Sequence, residues 1–115
     1  MAYSEYLADR IRQRLSNSGK IEEKKMMGGL IFMVNDSMCL GVDVDKTTGA
    51  DRLMVRVGKL PYEELLNVKG SRKMDFTGKA MRGFLFIDPE GFDKETDLDF
   101  WVEKALEFNK MINSK

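Results

Sequence analysis

Two apolar runs separated by a very short connection constrain the fold of this chain more than any other feature. The first, LIFMV, occupies residues 30–34, and the second, MCLGVDV, occupies residues 38–44. Asn35 and Asp36 lie between them, and both residue types tolerate the positive φ angles that a tight hairpin requires. The two runs therefore predict an antiparallel β-hairpin in the first half of the chain.

Further strands are predicted on both sides of this hairpin. KKMM at 24–27 precedes it, and LMVRV at 53–57 follows it with an alternation that places Met54 and Arg56 together on one face. Gly58 ends that strand. Two later segments predict two more strands: RKMDF at 72–76 and GFLFID at 83–88.

Three helices are predicted around these strands. The first is indicated by apolar residues at every fourth position, which are Tyr3, Leu7, Ile11 and Leu15. Pro61 and Gly70 bound a short second helix, because proline suits a first helical turn and glycine ends a helix. Thr96 and Asp99 have the spacing of a capping box, and an apolar stripe follows them to the C-terminus. The expected order is α-β-β-β-β-α-β-β-α.

Hairpin-linked strands with few, separated helices predict an α+β two-layer sandwich in a single domain of residues 1–115. Its antiparallel sheet carries helices mainly on one face, and the other face is left for a partner. Four glycines are assigned structural roles at bends and strand ends: Gly28, Gly29, Gly58 and Gly83. Gly28 and Gly29 have no phosphate-binding pattern around them, because a strand follows them instead of a helix.

The composition excludes several classes of chemistry. The 115 residues include no histidine and one cysteine, Cys39, so a zinc site is very unlikely and an internal disulfide is impossible. The segment that begins at Asp43 resembles a calcium-binding loop, but Met54 occupies the position at which such a loop requires glutamate. No apolar run is long enough to cross a bilayer. We expect a cytoplasmic protein without a metal, a cofactor or a membrane segment.

Methionine is unusually frequent and concentrated on the predicted strands. There are nine methionines in the chain. Methionine fills irregular gaps in cores and also lines adaptable binding surfaces, so both uses remain open. The candidate interaction surface consists of Lys25, Met26, Met33 and Met54.

Asp75 is the one carboxylate that we single out inside an apolar segment. Arg56 and Arg82 are its candidate partners, and the three residues form a candidate polar cluster. A buried acid paired with an arginine marks a small ligand-binding or enzymatic pocket in some proteins, and a structural ion pair in others.

Charge is unevenly distributed although the net charge is zero. Residues 10–25 contain six basic and two acidic residues, and residues 69–82 contain five basic residues and one acidic residue. Residues 88–107 contain eight acidic and two basic residues. If folding brings the two basic segments together, they could bind nucleic acid, although the zero net charge opposes this.

Several longer stretches resemble a known family. They are EEKKMMGGLIFMVNDSMCLGV, LMVRVG, MDFTGKAMRGFLFIDPEGF and FWVEKAL, and together they resemble the TfoX N-terminal domain family of bacterial competence regulators. Met27 stands where the family usually has an aromatic residue. The resemblance implies a two-layer, secretion-chaperone-like fold and supplies no catalytic residues.

The resemblance also implies a regulatory role. Full competence regulators of this type carry a second, C-terminal domain and act in transcription of DNA-uptake genes together with a cyclic-AMP receptor protein. We expect a stand-alone, single-domain member that is a non-catalytic regulatory or protein-interaction module. Its expected partner is another protein or a second copy of the chain, and nucleic-acid binding and a small pocket are the alternatives.

Overall fold

The computed structural model describes residues 3–26, 28–76 and 79–113. The departure from the family pattern at Met27 lies outside these residues. The helices are α1 (Glu5–Leu15), α2 (Tyr62–Leu65) and α3 (Glu95–Asn113), with a short 3₁₀ turn at Pro89–Gly91. The strands are β1 (Ile21–Met26), β2 (Gly29–Val34), β3 (Ser37–Val44), β4 (Asp51–Arg56), β5 (Ser71–Phe76) and β6 (Lys79–Ile87).

The six strands form one antiparallel sheet in the order β1-β2-β3-β4-β6-β5. Among the described residues there are three α-helices, and α3 packs across β3 and β4. The order of elements and the α+β class are as predicted. β1 and β5 are the two edges of the sheet, and β4 and β6 are interior strands.

The central hairpin has the predicted geometry. Asn35 and Asp36 have φ angles of 52° and 69°, so both lie in the left-handed region that two-residue turns use. The Asn35 side chain also accepts a hydrogen bond from the backbone N–H of Lys20 at 3.1 Å. This bond joins the turn to the segment that enters β1.

The main core lies between the helices and one face of the sheet. Trp101 of α3 is 1% exposed, and its indole N–H donates to the backbone carbonyl oxygen of Gly91 at 3.1 Å. Asn109, also on α3, is 2% exposed and donates from Nδ2 to the carbonyl oxygen of Val34 at 2.9 Å. The buried polar groups of Trp101 and Asn109 therefore both have a hydrogen-bond partner.

The start of α3 differs from the prediction. The helix begins at Glu95, so Thr96 lies inside it and the predicted capping box is wrong. The Asp99 carboxylate instead accepts from Nε of Arg14 at 2.6 Å. Glu95 and Asp97 fall in the first turn, where the helix dipole favours negative charge. The negative charge of these two acids therefore stabilises a helix that starts before the threonine.

β6 is longer than predicted and carries a wide bulge. The pairing passes from Lys73–Leu85 to Asp75–Ala80, so residues 81–84 stand opposite Met74 alone. Gly83 lies in this bulge with φ +93°. Its carbonyl oxygen accepts from the backbone N–H groups of Val57 at 2.8 Å and Gly58 at 3.1 Å. The bulge is thereby bound to the end of β4.

Close approach of other atoms requires glycine at two positions, Gly29 at the start of β2 and Gly58 just after β4. A Cβ on Gly29 would collide with the carbonyl oxygen of Val42, and a Cβ on Gly58 would lie 2.5 Å from Cδ1 of Phe108. Gly58 also has φ +85°. A side chain at Gly58 therefore meets both backbone strain and a steric contact.

We predict that Gly58→Ala lowers the free energy of unfolding by about 2 to 4 kcal/mol, from left-handed strain and overpacking against Phe108 together. Gly49→Ala is the matched control, because Gly49 has φ +76° and nothing within 4 Å of its added Cβ. It should lose only about 1 to 2 kcal/mol. Urea unfolding followed by Trp101 fluorescence measures both, and equal losses would contradict the role of the contact.

Candidate functional site

The predicted methionine surface on the sheet is largely closed. Met54 is fully buried with Ile31, Met74 and Phe86 in a small cluster on the face opposite the main core. Partly buried Met33, Met38, Met81 and Phe84 pack around this cluster. The assignment of Met54 to an exposed interaction surface is therefore wrong, because neighbouring side chains on the same face cover it.

The other members of that predicted surface are also separated. Met26 pairs with Gly29 and Met33 pairs with Glu22, so both methionines point to the face of the small cluster. Lys25 alternates with Met26 and points to the opposite face. Met26 is 45% exposed and lies at the edge of the sheet. Lys25, Met26, Met33 and Met54 thus do not form one continuous surface.

The predicted polar cluster is also divided. Asp75 is exposed and lines a shallow recess near Asp45 and Arg72. Arg56 and Arg82 line a different depression. Arg56, Asp75 and Arg82 therefore do not form one cluster, because Asp75 lies on edge strand β5, where its side chain is exposed to solvent.

The acid that is buried is Asp43, on β3, which is 4% exposed. Its Oδ1 and Oδ2 accept from Nε and Nη2 of Arg52 at 3.0 and 2.9 Å, in the two-bond geometry that suits a guanidinium. The Arg52 guanidinium also lies 3.6 Å from the centre of the Phe86 ring. The position of Asp43 between Val42 and Val44 is the sequence signal that indicates its burial. Asp43 enters the sequence-based predictions only as part of the segment that resembles a calcium-binding loop.

The network extends from this pair to the sheet edge. Nη1 of Arg52 lies 3.5 Å from Oδ2 of Asp45, and Arg72 contacts both Asp45 and Asp88. A hydrogen bond from the Thr47 backbone N–H, together with these two arginines, lowers the pKa of Asp45. The cluster has the form of a structural ion-pair network in which each described acid has a basic partner.

The two basic segments are separated, and three of their arginines, Arg12, Arg14 and Arg72, bind acidic side chains. Arg12 binds Glu23 of β1 through two bonds of 2.7 Å, which raises the pKa of Arg12 and lowers that of Glu23. Arg14 binds Asp99 of α3. Arg72 lies on β5, at the opposite edge of the sheet from β1. These arginines therefore do not combine into a single basic surface.

A groove of about 700 Å³ lies at one end of the sheet. Its walls are the segment after β4, the helix α2, the bulge of β6 and the part of α3 from residue 100 to residue 111. We call it the apolar groove, because much of its lining is hydrophobic, including Leu60, Leu65, Phe84, Phe100, Phe108 and Met111. Two of its lining residues, Arg56 and Arg82, belong to the candidate pocket predicted from the sequence. No sequence pattern indicated its hydrophobic lining, because that lining comes from three separate parts of the chain.

The rim of the apolar groove exposes large hydrophobic side chains. Leu60 is 91% exposed and Met111 is 52% exposed. They come from the β4–α2 connection and from the end of α3, and both line the groove. Contiguous exposed hydrophobic surface of this kind is typical of binding sites.

Positive charge surrounds the apolar groove. The four basic lining residues are Arg56, Lys59, Arg82 and Lys104, and the two acidic ones are Glu64 and Glu107. Arg56 is held in place by a hydrogen bond from Nη1 to the Met38 carbonyl oxygen at 3.4 Å, and its guanidinium lies 5.1 Å from the centre of the Phe108 ring. The lining therefore combines hydrophobic side chains with an excess of two positive charges.

Other sites of chemistry receive no support from the described residues. No cluster of three potential metal-ligand side chains occurs in the part of the chain that the structure describes. Burial raises the pKa of the Cys39 thiol to about 12, so the reactive thiolate is scarce at neutral pH. None of the described helices is long and apolar enough to span a bilayer.

The described residues form a two-layer α+β domain with an apolar groove. The sequence matches the TfoX N-terminal domain over residues 13–109. This match covers most of the chain, and the protein belongs to the TfoX N-terminal domain family. The family is one of regulatory domains. No curated protein matches the sequence.

Proposed function

We propose that this protein is a non-catalytic, regulatory protein-interaction module that binds its partner at the apolar groove. The observation that carries the proposal is the 91% exposure of Leu60 beside a groove lined with aromatic side chains. Fully burying a leucine side chain contributes about 1.5 to 3 kcal/mol to an association. Covering Leu60 is thus a substantial source of binding energy.

The form of the groove supports a macromolecular partner. Leu60 and Met111 stand at the rim, so a small molecule seated among the phenyl rings would leave much of their surface in water. A protein segment would cover the rim and the floor together, as partners do at the apolar centre of an interface. Membership in a family of regulatory domains agrees with such a role.

In this proposal, residues 1–115 form one module that acts in the cytoplasm and takes part in the control of transcription, as the family resemblance implies. Nucleic-acid binding has less support, because Arg12, Arg14 and Arg72 already bind acidic side chains. A small acidic ligand is the second candidate function. It is favoured by the presence of Arg56 and Arg82 in one depression of about 700 Å³, a volume within the usual range for ligand sites.

We predict that Leu60→Asp abolishes partner binding at the groove without unfolding the protein, because it places a charge where an apolar side chain is buried in the complex. Tagged wild type and variant are each incubated with a lysate of the source organism, and retained proteins are identified. Each protein that depends on Leu60 is then purified and its affinity is measured directly. We expect each of these partners to bind the Leu60→Asp variant at least about tenfold more weakly than the wild type.

Tyr6→Asp is the matched control, because Tyr6 is 73% exposed and lies on α1, away from the groove. It should retain the same partners as the wild type. If Leu60→Asp retains every partner with unchanged affinity while its thermal unfolding is normal, the groove is not the interaction site.

A further inference from the structure

The chemistry of the apolar groove specifies its occupant further, if the proposed function holds. We infer that the groove binds an acidic amphipathic helix of another protein. Its apolar stripe would lie on the floor of the groove, and its carboxylates would face the basic rim.

The charge of the lining selects an acidic partner. Lys59 is exposed, and the Arg82 side chain is 62% exposed, with a 3.6 Å contact to Glu63 and its guanidinium 5.6 Å from the centre of the Tyr62 ring. Both can therefore turn toward added carboxylates. A second copy that docked groove to groove, as in a symmetric dimer, would bring the same excess of positive charge to the interface, and like charges brought together oppose association. An acidic partner is consequently favoured over self-association.

The backbone around the groove selects a helix. A bound extended segment gains affinity by pairing with an unpaired strand edge. The edge strands β1 and β5 contribute no lining residue among those described, and the sheet contribution comes from interior strands β4 and β6. A segment bound here must satisfy its own backbone hydrogen bonds, which a helix does.

The walls of the groove are compatible with helix packing. The helix α3 forms one wall, to which Phe100, Phe108 and Met111 contribute. Leu60 comes from the β4–α2 connection, which forms another wall. Helices pack with their axes about 8 to 10 Å apart when apolar ridges interlock, and side chains at i, i+3, i+4 and i+7 supply such a ridge.

Synthetic helices test this inference on the full chain. The probe is a fluorescein-labelled peptide of about 18 residues, with leucines at i, i+3, i+4 and i+7 positions and with glutamate and alanine elsewhere. One twin replaces every glutamate with lysine, which keeps the helix propensity nearly constant. A second twin replaces the leucines with alanine. Binding is measured by fluorescence anisotropy.

The acidic probe should bind at least about tenfold more tightly than either twin, and its affinity should fall as ionic strength rises from about 0.05 to 0.5 M. The double variant Lys59→Glu with Arg82→Glu should weaken binding about tenfold. The control Lys46→Glu with Lys94→Glu makes the same change of net charge at exposed lysines outside the groove. It should bind the acidic probe at least about threefold more tightly than the groove variant.

Three outcomes would overturn the inference. If the acidic and lysine peptides bind equally well, the groove has no preference for an acidic helix. If that binding still depends on Leu60, the proposed function holds although this inference does not. If dodecanoate displaces the probe and the Leu60→Asp variant still retains every protein partner from the lysate, the groove is a small-ligand site. If sedimentation equilibrium shows a concentration-dependent dimer of the wild type, and the Leu60→Asp variant is a monomer, the occupant of the groove is a second copy of the chain.

Discussion

Replacing Arg52 by methionine is expected to lower the free energy of unfolding by about 3 to 5 kcal/mol, because the substitution leaves the buried Asp43 carboxylate without its basic partner. Asp43 is 4% exposed and takes both of its short hydrogen bonds from Arg52. The substitution also removes the guanidinium that lies 3.6 Å from the centre of the Phe86 ring. Urea unfolding at neutral pH measures the loss.

Arg72→Met is the matched control for this prediction. Arg72 makes the same kind of two-bond pair, with Asp88 at 2.6 and 2.8 Å, but its side chain is 45% exposed. Exposed pairs of this kind contribute about 0 to 1 kcal/mol. Comparable losses in Arg52→Met and Arg72→Met would show that burial of Asp43 is unimportant.

A double substitution separates the unpaired charge from the lost packing. Asp43→Leu combined with Arg52→Met removes the carboxylate together with its partner. The double variant should be more stable than Arg52→Met alone, because no buried charge remains unpaired. If the double variant loses as much as the sum of the two single variants, the two side chains act independently.

Trp101→Ala is the second substitution with a large expected effect, about 3 to 5 kcal/mol of unfolding free energy. Trp101 is 1% exposed in the core between α3 and the sheet. Its removal would leave a large cavity under the helix. Because the chain has one tryptophan, unfolding of this variant is followed by far-UV circular dichroism.

Trp101→Phe divides that loss into packing and hydrogen bonding. Phenylalanine keeps most of the ring volume but leaves the Gly91 carbonyl oxygen without the indole donor at 3.1 Å. A buried acceptor without a partner costs about 1 to 3 kcal/mol. An unchanged stability in Trp101→Phe would mean that the hydrogen bond contributes nothing. Both variants concern α3, which also forms one wall of the apolar groove.

The helix and strand order was predictable because its signals are local. Positive φ at Asn35 and Asp36 follows from the tolerance of these two residue types, and the apolar residues of α1 repeat at the helical period. Such signals act over a few neighbouring residues. They fail at element ends, as at Thr96, where an ion pair between Arg14 and Asp99 joins parts of the chain that are far apart.

The sequence by itself determined the α+β class, the antiparallel hairpin and the absence of histidine chemistry, because turn residues, periodicity and composition can be read without long-range contacts. Only the tertiary structure decided that Asp43, not Asp75, is the buried acid, and that Met54 is covered by its neighbours. The apolar groove likewise forms where three distant segments meet. Its residues carry no shared local pattern, because their proximity arises from packing of the folded chain.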